Sequence, residues 1–479
     1  MSVVEKIRAA ENLIREIARS SLSSYLNVVT INRAIGPARF GDVAEPWQIE
    51  LLGPKIPAIE HLAGFGRGYR GPTSFLSVLA RGHDKSSLEG RIASWLLFAS
   101  KRQIHGYILA SDKDQGQLIL QAMEDEYKLN HWMDGHLTFR KNTVTGQGGF
   151  IEVLPADAAS AYGLRGNLYI ADEFTHWKND RMWTAVLSGR EKIPGSLLIV
   201  LSNAGLRDSW QHKVRLLAED DPDWVLFERP GQLATWMDKA RVDKLRLRMP
   251  PSEGDRLFDN VWVDPAADLD YLRRPEVRAC GDLGERLGLR YKVLREPTVT
   301  NYVAALDYAP RKDRTVFCVL HQDATGLIRI DRMDVWQGSG DDPVSIRRVE
   351  DHVRALHKDF RPKLWVVDPY QMAGTIENLQ ASGINVEAWA ARSGQANYEA
   401  AQWLRQRIVN RTVAWPQDAE LENELASLRV KRMSYGFRFD HETQKHDDRA
   451  VALCMAGVRA GDFPDEGPPI SVRPLGSRL

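Results

Sequence analysis

Two short apolar runs constrain this chain most: Leu168-Tyr169-Ile170-Ala171, followed by Asp172-Glu173, and Leu197-Leu198-Ile199-Val200-Leu201, followed by Ser202-Asn203-Ala204-Gly205. Runs of this length without alternation are strands buried on both faces, as in a parallel sheet. A parallel sheet needs helical crossovers on its faces. Strand patterns at 73–80, 106–111 and 150–154, the first two followed by helical ones, supply that alternation over residues 70–205. Such a sheet delivers the residues that end its strands to the carboxyl edge, where open α/β sheets bind ligands. At that edge an Asp can hold magnesium and a neighbouring Glu can orient or deprotonate a water. The plainer alternative is two acids opening a solvated helix.

A second α/β pattern begins near Asn301. Residues 302–307 form an expected strand ending in Asp307, residues 364–368 another ending in Asp368, and His446-Asp447-Asp448 opens a final helix. Residues 315–320 and 327–330 alternate like antiparallel strands, and 428–435 with 437–441 bracket Gly436 as a hairpin. The domains expected are a helical segment at 1–39, a first α/β domain at 40–225, an irregular linker at 226–298, a second α/β domain at 299–460 and a disordered tail at 461–479. Within the linker, 233–248 reads as a helix with a basic end, Lys239 to Arg248, stopped by Pro250-Pro251. This is either a nucleic-acid contact or a solvated face. The 479 residues contain three Cys, too few for a disulfide framework, so a reducing compartment is expected, and no signal peptide or membrane span is legible. Lys plus Arg equal Asp plus Glu at 64 each, so there is no global charge footprint for nucleic acid.

Lys85-Ser86 lies between a strand and a helix, where helix amides point at an anion; the Lys adds charge and the Ser hydroxyl can bind magnesium. The standard loop has Gly directly before the Lys and again five residues earlier, but here those places hold Asp84 and Leu79. Gln48 can read an adenine edge, with Trp47 packing beside it. Asn203 is placed to sense the γ-phosphate or its water. Arg81 and Arg165 are candidates to stabilise transition-state charge, or else surface ion pairs. Asp307, Asp368 and Asp447 or Asp448 are three separated acids that can converge on one sheet edge, as a two-metal site for phosphodiester hydrolysis requires. Their oxygen ligands suit Mg2+ or Mn2+. His446 is a neighbour of that site and, like His441, no mark of zinc.

In order and spacing these features resemble the large terminase subunit of tailed phages, over roughly residues 40–458. The most specific parts are Pro46-Trp47-Gln48, Ala110-Ser111 with Gln115, Ile170-Ala171-Asp172-Glu173, Ser202-Asn203-Ala204-Gly205, Leu306-Asp307, Val367-Asp368-Pro369 and His446-Asp447-Asp448. The resemblance implies an N-terminal P-loop ATPase with a mostly parallel sheet and a C-terminal ribonuclease-H-like nuclease with a mixed sheet. It implies ATP as cofactor, with Gln48 reading adenine, Lys85 and Ser86 holding phosphate and metal, and Arg81 as the catalytic Arg. Asp172 would be the metal acid, Glu173 the catalytic Glu, and Ser202 to Gly205 the segment coupling hydrolysis to movement. Asp307, Asp368 and one of Asp447 and Asp448 would be the nuclease acids. It also implies double-stranded DNA, a portal protein and a small terminase subunit as partners, and a ring, expected to hold five copies. The place of action would be the bacterial host cytoplasm, on the procapsid, for a phage or a gene transfer particle. Asp84 is the departure from the family pattern. The competing readings are a nuclease-fused helicase or repair ATPase, which needs a second ATPase-like lobe that 205–300 is too short to hold, and a packaging protein whose ATPase Asp84 has impaired.

Overall fold

The computed structural model describes residues 2–66, 68–147, 149–154, 163–389, 394–434, 436–441 and 445–465. They form two compact units, Met1–Lys239 with Gly254–Pro265, and Ala240–Glu253 with Ala266–Leu479. The stretch read as a linker is therefore divided between the two.

Among the described residues, the main sheet of the first unit has eight strands: β1 (Ser74–Val78), β2 (His105–Leu109), β3 (Leu137–Arg140), β4 (Thr143–Gly146), β5 (Gly149–Leu154), β6 (Leu168–Ala171), β7 (Leu197–Ser202) and β8 (Trp224–Glu228). Their order in the sheet is β8-β1-β7-β6-β2-β5-β4-β3. The first six are parallel, and β4 and β3 extend the sheet antiparallel beyond β5. Every residue of β1, β6 and β7 is buried, as the apolar runs of β6 and β7 require, and β1 buries Ser74 and Ser77 as well. Helix α1 (Val3–Ser20) packs by its C-terminal half, where Trp95 Nε1 donates to Ala18 O over 3.0 Å. Helix α2 (Pro46–Leu52) starts at a proline, and α3 (Lys85–Ala99) follows β1. From Leu88 onward α3 is buried all round, which is why it carries little amphipathic pattern. Helix α4 (Lys113–Leu129) follows β2 and packs against α3.

The second unit holds β9 (Tyr302–Asp307), β10 (Arg314–Gln322), β11 (Ile328–Gln337), β12 (Leu364–Val367), β13 (Val386–Ala388) and β14 (Val413–Ala414), in the order β13-β12-β9-β10-β11-β14. An antiparallel meander β9-β10-β11 is extended by β12 and β13 running parallel to β9. This is the mixed sheet expected of a ribonuclease-H-like fold. The hairpin around Gly436 is present as β15 (Leu428–Met433) and β16 (Gly436–His441), and α5 (Asp448–Ala460) packs on β9 and β10.

The structure corrects the reading of 233–248 as one helix. The helix is Lys239–Arg246 only. Leu233 N donates to His83 Nε2 over 2.9 Å, Thr235 N to Glu45 Oε1 over 3.0 Å, and Trp236 Nε1 to Gly82 O over 3.0 Å. These bonds hold 233–236 against the loop before α3 instead of in a helical ladder. Of the expected tail, residues 466–479 lie outside the described residues. Before it, Asp465 Oδ1 accepts from Thr300 N and Oγ1 over 3.1 and 2.8 Å. Among the described residues, no helix is long and apolar enough to cross a membrane.

Candidate functional site

In the first unit, β1 and β6 flank β7, so the loop after β1 and the acids after β6 meet at one carboxyl edge. Ser86 Oγ donates to Asp172 Oδ2 over 2.7 Å, and Glu173 N donates to the other carboxylate oxygen over 2.9 Å. Asp172 is 2% exposed, which removes the reading of a solvated helix start. Burial pushes its pKa up to about 6, against the pull of the Ser86 hydrogen bond. Glu173 stands in the left-handed region at φ 50°. Its Oε2 is 3.1 Å from His176 Nδ1, and that hydrogen bond keeps the carboxyl below its ordinary range. Lys85 Nζ donates to Leu79 O and Ala80 O over 2.9 and 3.2 Å, and burial lowers its pKa.

Lys85, Ser86, Glu173 and Arg81 line one cleft of about 450 Å³, together with Asp84, Arg91, Glu126 and residues of α4. Gln48 is not among the lining residues. It is buried, and its carboxamide oxygen accepts from Glu45 N over 2.9 Å in a capping box at the start of α2. Asn203 is buried after β7 and donates to Ala204 O over 2.7 Å. Arg165 is exposed and outside the cleft lining, and Tyr162, read as part of the same loop, lies outside the described residues.

Sequence reasoning missed several supports of this edge. His83 Nε2 accepts from Leu233 N, so Nδ1 carries the proton toward Ala80 O at 2.9 Å. That neutral tautomer agrees with a pKa pushed down to about 4 by burial and by Lys85. Asn260 accepts from Ala204 N over 2.9 Å and donates to Val78 O over 2.9 Å, joining the end of β1 to the segment after β7. Ser202 Oγ donates to Thr175 Oγ1 over 2.9 Å and accepts from Thr175 N over 3.0 Å. None of these had a local signal, since each partner is distant in sequence.

In the second unit Asp307 ends β9, and Asp368 follows the neighbouring strand β12, with its amide donating to Leu306 O over 3.2 Å. Asp448 opens α5, and its Oδ2 accepts from Arg314 N, at the start of β10, over 3.1 Å. The pKa of Asp307 is held well above the carboxylate range, first by burial and then by the charges of Asp448, Asp368 and Asp447. Burial pushes Asp448 up to about 7. Such crowding of like charge is what a divalent cation relieves, although among the described residues the ligand atoms of Asp307, Asp368 and Asp448 do not all come within 4.8 Å of one another. The two acids left open by sequence differ in surroundings. Asp447 Oδ1 is 3.0 Å from His441 Nδ1, and Asp440, His441 and Asp447 bring ligand atoms within 4.8 Å of one another. His446 Nδ1 lies 3.5 Å from Asp448 Oδ2. Glu424, also missed, accepts from the amides of Arg449 and Ala450 over 2.6 and 3.1 Å and so caps α5.

Residues 62–216 match the family model described as terminase large subunit, ATPase domain. That stretch of the chain is similar to the ATPase domain of the terminase large subunit. The match spans β1 to β7 and includes Arg81, Asp84, Lys85, Ser86, Arg91, Glu126, Asp172 and Glu173. The large terminase subunit of Thermus virus P23-45 is 26% identical over 176 residues, which is 36% of this chain and 34% of that protein. The chain thus aligns with about a third of the length of that relative. Among solved structures, the large terminase of bacteriophage HK97 is similar with a TM-score of 0.41 and 16% identity, covering 92% of this chain and 98% of that one. The large terminase nuclease of thermophilic phage G20c is similar over 36% of this chain and 92% of its own length, with a TM-score of 0.31 and 22% identity.

Proposed function

We propose that this chain is a terminase large subunit, that its first unit hydrolyses ATP, that its second cuts double-stranded DNA, and that the two together package DNA into a procapsid. The observation that carries the reading is the Ser86–Asp172 contact at 2.7 Å, beside Lys85 and Glu173, within the residues matched to the terminase ATPase domain.

Ser86 and Asp172 would hold Mg2+, which would neutralise charge on the triphosphate. Lys85 brings its ammonium to the phosphates, and the bond from His176 keeps Glu173 ionised to orient or deprotonate the attacking water. Arg81 supplies charge to the transition state. Adenine recognition by Gln48 requires release of its bond from Glu45 N, and signalling by Asn203 requires release of its bond to Ala204 O. In the second unit, Asp307, Asp368 and Asp448 would hold Mg2+ or Mn2+, which would supply water activation and leaving-group stabilisation. Asp447, turned to His441, acts beside them. Duplex DNA is held through its phosphates, with Lys239 to Arg248 as a candidate contact, so binding falls steeply with salt. The family resemblance supports a ring, of five copies, docked on the portal protein in the host cytoplasm, with a small terminase subunit selecting DNA from a phage or a gene transfer particle.

The test is ATP turnover and plasmid cleavage by the purified protein with Mg2+ or Mn2+, beside Glu173→Gln and Asp307→Asn. Turnover falls by about 10²–10⁴-fold in the first alone, as loss of a general base does, and cleavage is lost in the second alone. Loss of both activities in either variant sinks the two-site reading.

A further inference from the structure

A phosphate loop usually has Gly before its Lys because the backbone there turns left-handed and phosphate approaches closely. Asp84 meets the first need. It stands at φ 54° and ψ 28°, a region Asp visits more readily than most residues. The unmet need is charge, since an anion beside the Lys opposes a polyphosphate.

The carboxylate has a cationic partner. Its Oδ2 lies 3.2 Å from Arg91 Nη2, seven residues along α3. Arg91 is only 5% exposed, and its own position is fixed from two further sides. Its Nε donates to Glu126 Oε2 on α4 over 2.8 Å, and its guanidinium stacks over the Phe40 ring at 5.0 Å. Glu126 in turn accepts from Tyr25 Oη over 3.2 Å. Asp84, Arg91 and Glu126 line the same cleft as Lys85 and Ser86. A buried Arg flanked by two acids gives one cation to two carboxylates, and burial pushes Glu126 up to about 7, so the pair beside the loop approaches neutrality.

We propose that Arg91 is the positioning residue that makes an acid at position 84 compatible with nucleotide: it neutralises the Asp84 carboxylate and fixes it away from the polyphosphate. This rests on reading the cleft as the nucleotide site. Arg91 and Asp84 are then a matched pair, and the departure from the family loop is compensated within the same helix.

The test is binding of a fluorescent ATP analogue with Mg2+ to the full chain as wild type, Asp84→Asn, Arg91→Gln and the double variant, each checked for its thermal midpoint. Arg91→Gln keeps a donor for Glu126 but removes the charge. It weakens binding by about tenfold or more, some 1.4 kcal/mol. The double variant regains affinity to within about threefold of Asp84→Asn, because Asn keeps the left-handed conformation without the charge. A folded Arg91→Gln that binds like wild type overturns the proposal. So does a folded double variant as weak as Arg91→Gln, since Arg91 then acts through packing or Glu126. If Arg91→Gln does not fold, the same comparison is made with Arg91→Lys alone and combined with Asp84→Asn. Lys cannot span both acids with a planar fork, so it shows a smaller loss, and absence of any recovery in the combination overturns the proposal. If only Asp84→Asn binds nucleotide, the site is real and the role of Arg91 falls; if none binds, the nucleotide reading itself falls.

Discussion

Asn260 offers the sharpest test of how the carboxyl edge of the first unit's sheet is held together. Its side chain is 4% exposed and makes three bonds to backbone: from Ala204 N at 2.9 Å, to Val78 O at 2.9 Å and to Arg229 O at 2.8 Å. Val78 ends the strand before the phosphate loop, and Ala204 follows the strand next to it. Asn260→Ala leaves one buried amide without its acceptor, at about 1–3 kcal/mol, and two carbonyls short of a donor at roughly 0.5–1 kcal/mol each. The residue also sits at φ 53°, where replacing Asn by Ala adds about 1 kcal/mol. The expected loss is about 4 kcal/mol, read from urea unfolding of the first unit's transition. Asn260→Asp isolates the donors. It keeps the acceptor for Ala204 N but aims a carboxylate at two carbonyl oxygens. Its folded pKa is therefore raised above the unfolded value, so its deficit relative to wild type grows as pH rises through that pKa and shrinks toward pH 5. A loss below about 1 kcal/mol for Asn260→Ala, or a pH-independent deficit for Asn260→Asp, refutes the brace.

Three further outcomes follow from buried charge. Asp172 titrates at about 6 in the folded chain, above its unfolded value, so its contribution to metal-free stability is full at low pH and is lost as pH rises through about 6. Asp172→Asn removes that slope, raises the metal-free melting midpoint at pH 7, and abolishes magnesium-dependent turnover. Asp448→Asn abolishes plasmid cleavage, whereas Asp447→Asn, with its partner His441 outside the Asp307 group, leaves measurable cutting; equal losses refute the distinction. Lys55 and Glu89 form a fully buried ion pair, 2% and 0% exposed. Lys55→Met alone costs about 3–5 kcal/mol, and Lys55→Met with Glu89→Leu recovers most of it, in a denaturant double-mutant cycle.

Local pattern carries far where a strand is buried on both faces. The residues of β6 and β7 had no other reading, and the acids and amides after them followed directly to the sheet edge. Pattern fails at sheet margins. The strands β3 and β4 are short and half-exposed, and β8 covers one edge with a mixed run, so neither stands out from loop. It also fails where tertiary bonds replace a helical ladder, as at 233–236.

From sequence alone, the chain's apolar runs determined two α/β sheets and the order in which Lys85-Ser86, Asp172-Glu173, Asp307, Asp368 and Asp447-Asp448 reach their edges. Strand burial and strand-end position are properties of neighbouring residues, so they can be read along the chain. The tertiary structure alone decided that Asp447 turns to His441 while Asp448 accepts from Arg314 N, that Gln48 caps its own helix, and that Asp84 is paired with Arg91. Each of those outcomes depends on which side chains meet across a fold, where burial and charge act through space between residues that the sequence keeps apart.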